Sequence, residues 1–223
     1  MTLIHREIAA HAAWCRWASN RGAQPVRLQF HCNCADCPHV PIVHNDPQAI
    51  LLDAMEFAAE KHRHQRRKDA HSSPYINHPI ALASLLKRQG VDDVDVLCAA
   101  LLHDTIEDTQ TTAAELRARF GTVITSVVLE VSDDKTLDKA ARKRLQIEHA
   151  HELSERAKLV KLADKICNVS DIVAAPPARW TLERKRQYLE WAKAVVDRLR
   201  GTHAGLEAQF DDVYATGVRA LQQ

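Results

Sequence analysis

The sequence predicts an all-α fold, a single bundle of eight or nine helices joined by short connections. Segments with apolar residues at i, i+3 and i+4 recur from Asn45 onwards, as amphipathic helices require. The 223 residues include only six glycines, and aromatic residues make up 5%. Sandwiches and barrels need many more turn residues than this. Because no repeat or long linker interrupts this part of the chain, we expect one domain.

The overall composition is that of a globular protein and excludes several classes. Hydrophobic residues account for 46% and charged residues for 26%, which is typical of folded chains. Thirty basic residues are balanced by 29 acidic ones, so nucleic acid is not expected as a partner. No apolar run is long enough to span a membrane, and the charged first twenty residues do not resemble a signal peptide. We therefore expect a cytoplasmic protein without membrane contact; its oligomeric state stays open.

The first 44 residues differ from the remainder and predict an irregular N-terminal extension. Three cysteines and two histidines fall within the nine positions 31–39. Cys34 and Cys37 have the C-x-x-C spacing of zinc sites, but a second ligand pair at a longer separation is lacking. We therefore favour an irregular segment over a zinc-binding interaction module. The folded domain is predicted at residues 45–223.

The first two helices of that domain are placed by their end signals. Asp46 suits the N-cap and Pro47 the first helical position, so a helix begins there and runs into the basic segment 61–68. Another helix begins near Pro79 and ends before Gly90, a residue type common just after a helix. His78 therefore lies at a junction between a loop and a helix.

Seven further helices follow from apolar periodicity and from capping residues. Asp92 or Asp93 can cap the first of them, and Thr112 with Glu115 forms a capping box. A strand is the local alternative for residues 123–131, which are rich in β-branched side chains. The first of these helices contains the apolar run 96–102, and the other six lie approximately at residues 112–120, 123–131, 139–149, 154–173, 182–200 and 206–221.

Four side chains that can bind metal or transfer protons follow the apolar run 96–102. They are His103, Asp104, Glu107 and Asp108. If the helix continues for one turn, both later acids return to the face that carries the His-Asp pair. Burying an imidazole and three carboxylates is costly unless a cation compensates for the negative charge. The alternative is a helix end that becomes polar as it leaves the core.

Two further candidate metal ligands, His78 and Asp164, also lie at a helix end or within an apolar helix. His78 alone would be interpreted as a capping histidine, and Asp164, within an apolar helix that also carries Asn168, as half of a buried ion pair. With His103 and Asp104, however, they supply two imidazoles and two carboxylates. This donor set suits a divalent ion such as Mn, Fe, Co, Ni or Zn and leaves coordination positions for water and substrate.

The spacing H…HD…D resembles the HD superfamily of metal-dependent phosphohydrolases. Longer segments resemble the hydrolase domain of the RelA/SpoT family, most closely its small stand-alone form; they are residues 63–69, 74–79, 100–109 and 161–168. The resemblance covers roughly residues 46–221 and implies an HD-domain helical bundle. Nothing in these small hydrolases corresponds to the first 43 residues.

The resemblance implies hydrolysis of guanosine 3′,5′-bis(diphosphate), ppGpp, and of pppGpp to GDP or GTP and pyrophosphate, which ends the stringent-response signal. It implies one Mn²⁺ ion held by His78, His103, Asp104 and Asp164. Glu107 and Asp108 match the pair that positions and activates the attacking water, and we take Glu107 as the principal group. The implied substrate contacts are Arg67, Lys68, Tyr75, Lys139, Asn168 and Tyr188.

Other functions remain compatible with the same residues. The resemblance also admits removal of the 2′-phosphate of NADPH, or hydrolysis of another nucleotide, at the same site. A non-catalytic sensor that binds ppGpp is an alternative of a different class. The intact pair Glu107 and Asp108 argues against a sensor, because binding alone would not require both acids.

Overall fold

The computed structural model describes residues 46–222, which form a helical bundle. Within this range there are nine α-helices and one short 3₁₀-helix, and β-structure is limited to an isolated bridge between Arg66 and Pro74. The predicted all-α class is therefore confirmed. The extension 1–44, with its cysteine-rich stretch, lies outside the described residues, so the division into 1–44 and 45–223 stays a prediction.

The helices follow the predicted order with two differences: the segments predicted as helices 112–120 and 123–131 form a single helix, and the short helix Thr105–Asp108 was not predicted as a separate one. They are α1 (Pro47–Lys61), α2 (Asn77–Arg88), α3 (Val94–Leu102), α4 (Thr105–Asp108), α5 (Ala113–Val131), α6 (Lys139–His149), α7 (Glu155–Ala174), α8 (Leu182–Asp197) and α9 (Ala204–Ala220). The 3₁₀-helix Ala150–Glu152 links α6 to the turn before α7. None of the helices between residues 46 and 222 has the length and apolarity that crossing a bilayer requires.

Side-chain caps confirm the predicted helix starts. In seven cases a side chain accepts a hydrogen bond from a backbone N–H in the first turn, namely at Asp46, Asp93, Thr112, Asp138, Ser154, Thr181 and His203. Asp92, the alternative cap for α3, instead pairs with Lys87. Each cap satisfies a backbone donor that has no partner inside its helix.

Helix α5 bends at Gly121, where the sequence predicts the end of one helix and the start of another. Gly121 has φ 82° and ψ 177°, and the helix resumes directly after it. The alternative of a strand over residues 123–131 is wrong. These residues are helical because Ile124 and Val128 point together into the core, where both are buried.

Replacing Gly121 by alanine should destabilise the fold by about 1–3 kcal/mol, because its backbone angles are strained for any residue with a Cβ. A Cβ at this position would contact nothing within 4 Å, so the cost comes from the backbone alone. Urea unfolding of Gly121→Ala measures it. Thr122→Ala, at the exposed neighbour, is the control and should unfold like the wild type. Equal stability of both variants would contradict the backbone argument.

The core is built around α3. Residues 96–102 are each at most 5% exposed, and α3 packs against α1, α2, α5 and α7. The helix ends at Leu102 and does not continue for the further turn that the sequence allowed, and α4 begins only at Thr105. The Thr105 hydroxyl donates to the Leu102 carbonyl at 2.7 Å, which satisfies one C-terminal acceptor of α3. This break places the buried His103 and the partly buried Asp104 directly after the apolar run.

Candidate metal centre and active site

Three helices bring the four predicted metal ligands together. His78 comes from the start of α2, His103 and Asp104 follow α3, and Asp164 lies in the middle of α7. Ligand atoms of His78, His103 and Asp164 all lie within 4.8 Å of one another. Asp104 Oδ2 lies 2.9 Å from His103 Nε2 and so joins the same cluster.

The imidazole of His103 is oriented as a metal ligand would be. Its Nδ1 lies 2.8 Å from the Ala100 carbonyl, to which it donates. Its Nε2 is buried and makes no hydrogen bond of acceptable geometry to any residue in 46–222. A histidine that ligates metal commonly donates its other ring N–H to a backbone carbonyl in this way. The donor set and this buried nitrogen therefore fit a divalent cation.

Both carboxylates that are predicted to bind metal are held in the ionised form. Burial opposes ionisation of Asp164, but Lys165, with Nζ 3.0 Å from Oδ2, and the nearby His78 hold its pKa well below the ordinary value. Burial also opposes ionisation of Asp104, but His103 lowers the pKa of that carboxyl. Conversely, burial lowers the pKa of His103 and Asp104 raises it, to about 9. A metal cation that bound there would release this proton.

Glu107 lies beside the cluster in a position suited to accept a proton. Its Oε2 accepts a hydrogen bond from the Asp133 backbone N–H at 3.2 Å. Its Oε1 lies 3.4 Å from Lys135 Nζ and 3.6 Å from an Arg142 nitrogen. Burial and the charge of Asp104 raise the pKa of this carboxyl above its ordinary value. A raised pKa brings a carboxylate closer to the range useful for general-base catalysis.

Asp108 is held at both of its oxygens. Gln65 Nε2 donates to Oδ2 at 2.9 Å, and Lys135 Nζ donates to Oδ1 at 2.6 Å. Because Lys135 also approaches Glu107, this one cation lies between the two acids. Its charge offsets the repulsion between two neighbouring carboxylates.

The metal cluster opens into a larger cleft. The metal pocket itself has a volume of about 190 Å³, and the adjoining cleft of about 660 Å³ shares Tyr75, His78, Asp108 and Asn168 with it. Ligand sites typically range over about 300–1,000 Å³, so this cleft can accept a nucleotide. Its walls carry basic and aromatic side chains, including Arg66, Arg67, Lys68, Arg88, Trp180 and Tyr188.

Most of the predicted substrate contacts line this cleft. Arg67 donates to Asn168 Oδ1 at 3.2 Å, pairs with Asp171 and lies over the ring of Tyr75. Lys68 is exposed at the rim of the cleft. The Tyr75 hydroxyl donates to Asp104, which links the cleft wall to the metal cluster.

The last two predicted substrate contacts, Tyr188 and Lys139, differ in their position relative to the cleft. Tyr188 lies between Trp180 and Trp191, with ring centroids 5.6 Å and 5.2 Å away, and lines the cleft. Lys139 lines neither pocket; it is exposed at the start of α6. Partial burial, followed by the charges of Arg184 and Lys68, lowers the pKa of Lys139. It therefore faces the basic rim, and its contact with substrate stays a prediction.

Sequence reasoning gave no role to two buried lysines beside the site. Lys165 is 3% exposed; it pairs with Asp164 and lies 4.3 Å from the centroid of the Trp191 ring. Lys161 is 7% exposed and donates to the Val131 carbonyl at 2.8 Å. Lysines within so apolar a helix need a partner, and that pattern alone could have marked them.

Comparisons with known proteins agree with this fold and site. The HD domain family model matches residues 54–193. The human guanosine-3′,5′-bis(diphosphate) 3′-pyrophosphohydrolase MESH1 is 53% identical over 160 residues, 71% of this chain and 89% of that protein. Its Xenopus tropicalis counterpart is 51% identical over 167 residues, 74% and 93% of the respective chains. A solved structure of a metazoan SpoT ortholog that hydrolyses ppGpp has a TM-score of 0.74 and 47% identity, and covers 75% of this chain and 95% of its own.

The fold and the site define the class of HD-domain hydrolases, which bind a divalent metal. The chain belongs to this HD-domain family, and within it to the small RelA/SpoT-type group that includes the MESH1 relatives. The resemblance drawn from the sequence is thereby confirmed. The roles of individual site residues are taken up below as proposals.

Proposed function

We propose that this chain hydrolyses ppGpp and pppGpp to GDP or GTP and pyrophosphate. The observation that carries the proposal is the placement of Glu107 and Asp108 beside a His/Asp cluster at the end of a nucleotide-sized cleft. The names of the MESH1 relatives, at about half identity over nearly their whole length, support the same reaction. A cytoplasmic location is proposed from the sequence.

The proposed metal ligands are His78, His103, Asp104 and Asp164, and the proposed ion is Mn²⁺. When bound, such an ion supplies a Lewis acid that polarises a phosphoryl oxygen and makes water more acidic. Tyr75 and Asn168 orient the two carboxylates, since each donates a hydrogen bond to one of them. Outer hydrogen bonds of this kind fix the direction of ligand atoms.

Glu107 acts on the attacking water. Its carboxylate accepts the water's proton as the oxygen attacks the phosphorus of the 3′ diphosphate that is joined to the ribose. The bond from that phosphorus to the ribose 3′ oxygen breaks and pyrophosphate leaves. The 3′ oxygen takes up one proton, which balances the proton that Glu107 accepted from water. Lys135 and Arg142, both close to Glu107, offset the negative charge that develops in this region.

The cleft binds the remainder of the nucleotide. Arg67, held by Asn168 and Asp171, presents a planar guanidinium for packing on the purine, and Lys68 at the rim contacts phosphate. Tyr188 supplies an aromatic wall, and Asn168 can also reach the ribose. Lys139 extends the basic rim towards the more distant phosphates.

The proposed function is tested by measuring turnover of ppGpp. NADPH is supplied in a parallel reaction, and the products of both reactions are separated by ion exchange. We expect the Mn²⁺-loaded full chain to convert ppGpp to GDP and pyrophosphate, because the site combines water activation with a basic cleft. NADH and phosphate from NADPH, without any ppGpp turnover, would identify a 2′-phosphatase instead. Tight binding of ppGpp without product would identify a sensor.

A further inference from the structure

His62 is a buried histidine for which the proposed chemistry has no use. It follows the last residue of α1, is 2% exposed, and is not among the metal-binding cluster. Its Nδ1 lies 2.6 Å from Gln65 Oε1. Its Nε2 is buried and has no hydrogen-bond partner in the part of the chain that the structure describes.

Gln65 joins this histidine to Asp108. The Gln65 side-chain Nε2 donates to Asp108 Oδ2 at 2.9 Å. The Gln65 backbone is also held, because its N–H donates to the His62 carbonyl and its carbonyl accepts from the Tyr75 N–H. The Gln65 amide therefore lies in a fixed position between an imidazole and a carboxylate.

The chemistry of the three groups allows only one direction of hydrogen bonding. An ionised carboxylate such as Asp108 only accepts, so the Gln65 amide must turn its NH₂ group towards it. Its oxygen then faces His62, and Nδ1 of that imidazole must carry the proton. Nε2 is consequently unprotonated. This agrees with its surroundings, because an unpaired buried N–H would be costly whereas an unshared lone pair costs less.

We propose that His62 and Gln65 are positioning residues for the proposed hydrolysis, which hold the Asp108 carboxylate at the junction of the metal pocket and the cleft. Asp108 lines both the metal pocket and the cleft, so the orientation of its carboxylate decides where the free lone pairs of its oxygens point. Its other partner, Lys135, has a side chain 48% exposed and is shared with Glu107. The two hydrogen bonds that join His62 to Gln65 and Gln65 to Asp108, here called the relay, thus supply the more rigid of the two restraints on Asp108. This inference rests on the proposed function.

Replacing His62 by phenylalanine, compared with asparagine, tests the relay. Phenylalanine keeps a ring in the pocket but has no donor, whereas the amide nitrogen of asparagine can take the place of Nδ1. For ppGpp we expect His62→Phe to lower kcat about 10- to 100-fold with KM unchanged, as loss of an outer hydrogen-bond partner typically does. His62→Asn should recover most of that loss. Equal losses in both variants, or a change confined to KM, would overturn the proposal.

A second pair of variants separates positioning from loss of structure. Gln65 is half-exposed, so Gln65→Leu should fold even if His62→Phe does not, and it should show the same loss in kcat. In an Asp108→Asn background, Gln65→Leu should cause little further loss, because the relay acts through that carboxylate. Additive losses would mean that Gln65 acts elsewhere, which would contradict the relay.

Histidine ring ¹⁵N shifts test the relay without any turnover. Among the 13 histidines, the His62 signals are those that disappear in His62→Asn. We expect a neutral ring protonated at Nδ1, which shifts in Gln65→Leu. A ring protonated at Nε2, or at both nitrogens, would overturn the relay. A wild-type chain that shows the expected tautomer but does not hydrolyse ppGpp would overturn only the proposed function.

Discussion

Replacement of Glu107 by glutamine is expected to lower kcat for ppGpp by about 10²–10⁴-fold, the usual contribution of a positioned proton acceptor. Glutamine has the same shape, and its carbonyl oxygen can still accept from the Asp133 N–H. It cannot take a proton from water at neutral pH. Steady-state turnover measures kcat, and metal analysis of the same sample should find the wild-type content.

The matched control for this variant is Glu56→Gln, which makes the same chemical change at an exposed position of α1. It should leave both kcat and metal content unchanged. Near-normal turnover in Glu107→Gln would contradict the assignment of Glu107. A larger loss in Asp108→Asn than in Glu107→Gln would instead show that the two acids exchange roles.

Replacement of Asp164 by asparagine is expected to abolish metal retention and to lower turnover by about 10³-fold or more, since a bound cation contributes several kcal/mol to such a reaction. Asp164 Oδ1 lies 3.2 Å from His78 Nε2 and 3.9 Å from His103 Nε2, so its negative charge is central to the cluster. Metal analysis after dialysis, together with turnover, measures both effects.

Thermal unfolding gives an independent readout of the same variant. Added Mn²⁺ should raise the Tm of the wild-type chain, because a ligand that binds only the folded state stabilises it. It should not raise the Tm of Asp164→Asn. Asp197→Asn, at an ion pair on α8 that lines neither pocket, is the control and should respond like the wild type. An Asp164→Asn variant that keeps metal and activity would contradict the proposed ligand set.

Local signals in the sequence were sufficient to predict most of the fold. Apolar periodicity identified the buried run 96–102, and caps such as Asp46 and Thr112 act within one turn of the helix that they begin. These features depend on neighbours in the sequence, so they can be found without knowing the tertiary structure. The same reasoning placed His103 and Asp104 at the end of the buried run.

The contacts that orient the acids could not be predicted in this way. Asp133, Lys135 and Arg142 reach Glu107 from the loop after α5 and from α6, and no periodicity specifies that approach. The break between α3 and α4 was likewise missed, since it depends on how residues after Leu102 leave a packed core. Gln65 lies 43 positions from Asp108 in the sequence, so only the folded chain brings them into contact.

The most direct test is the turnover of ppGpp by the full chain, first stripped of metal with a chelator and then titrated with Mn²⁺. We predict no turnover in the stripped protein and a rise in the rate that ends at one bound Mn²⁺ per chain, with GDP and pyrophosphate formed in equal amounts. Full turnover by the stripped protein, or bound Mn²⁺ without any release of pyrophosphate, would contradict a metal-dependent 3′-pyrophosphohydrolase.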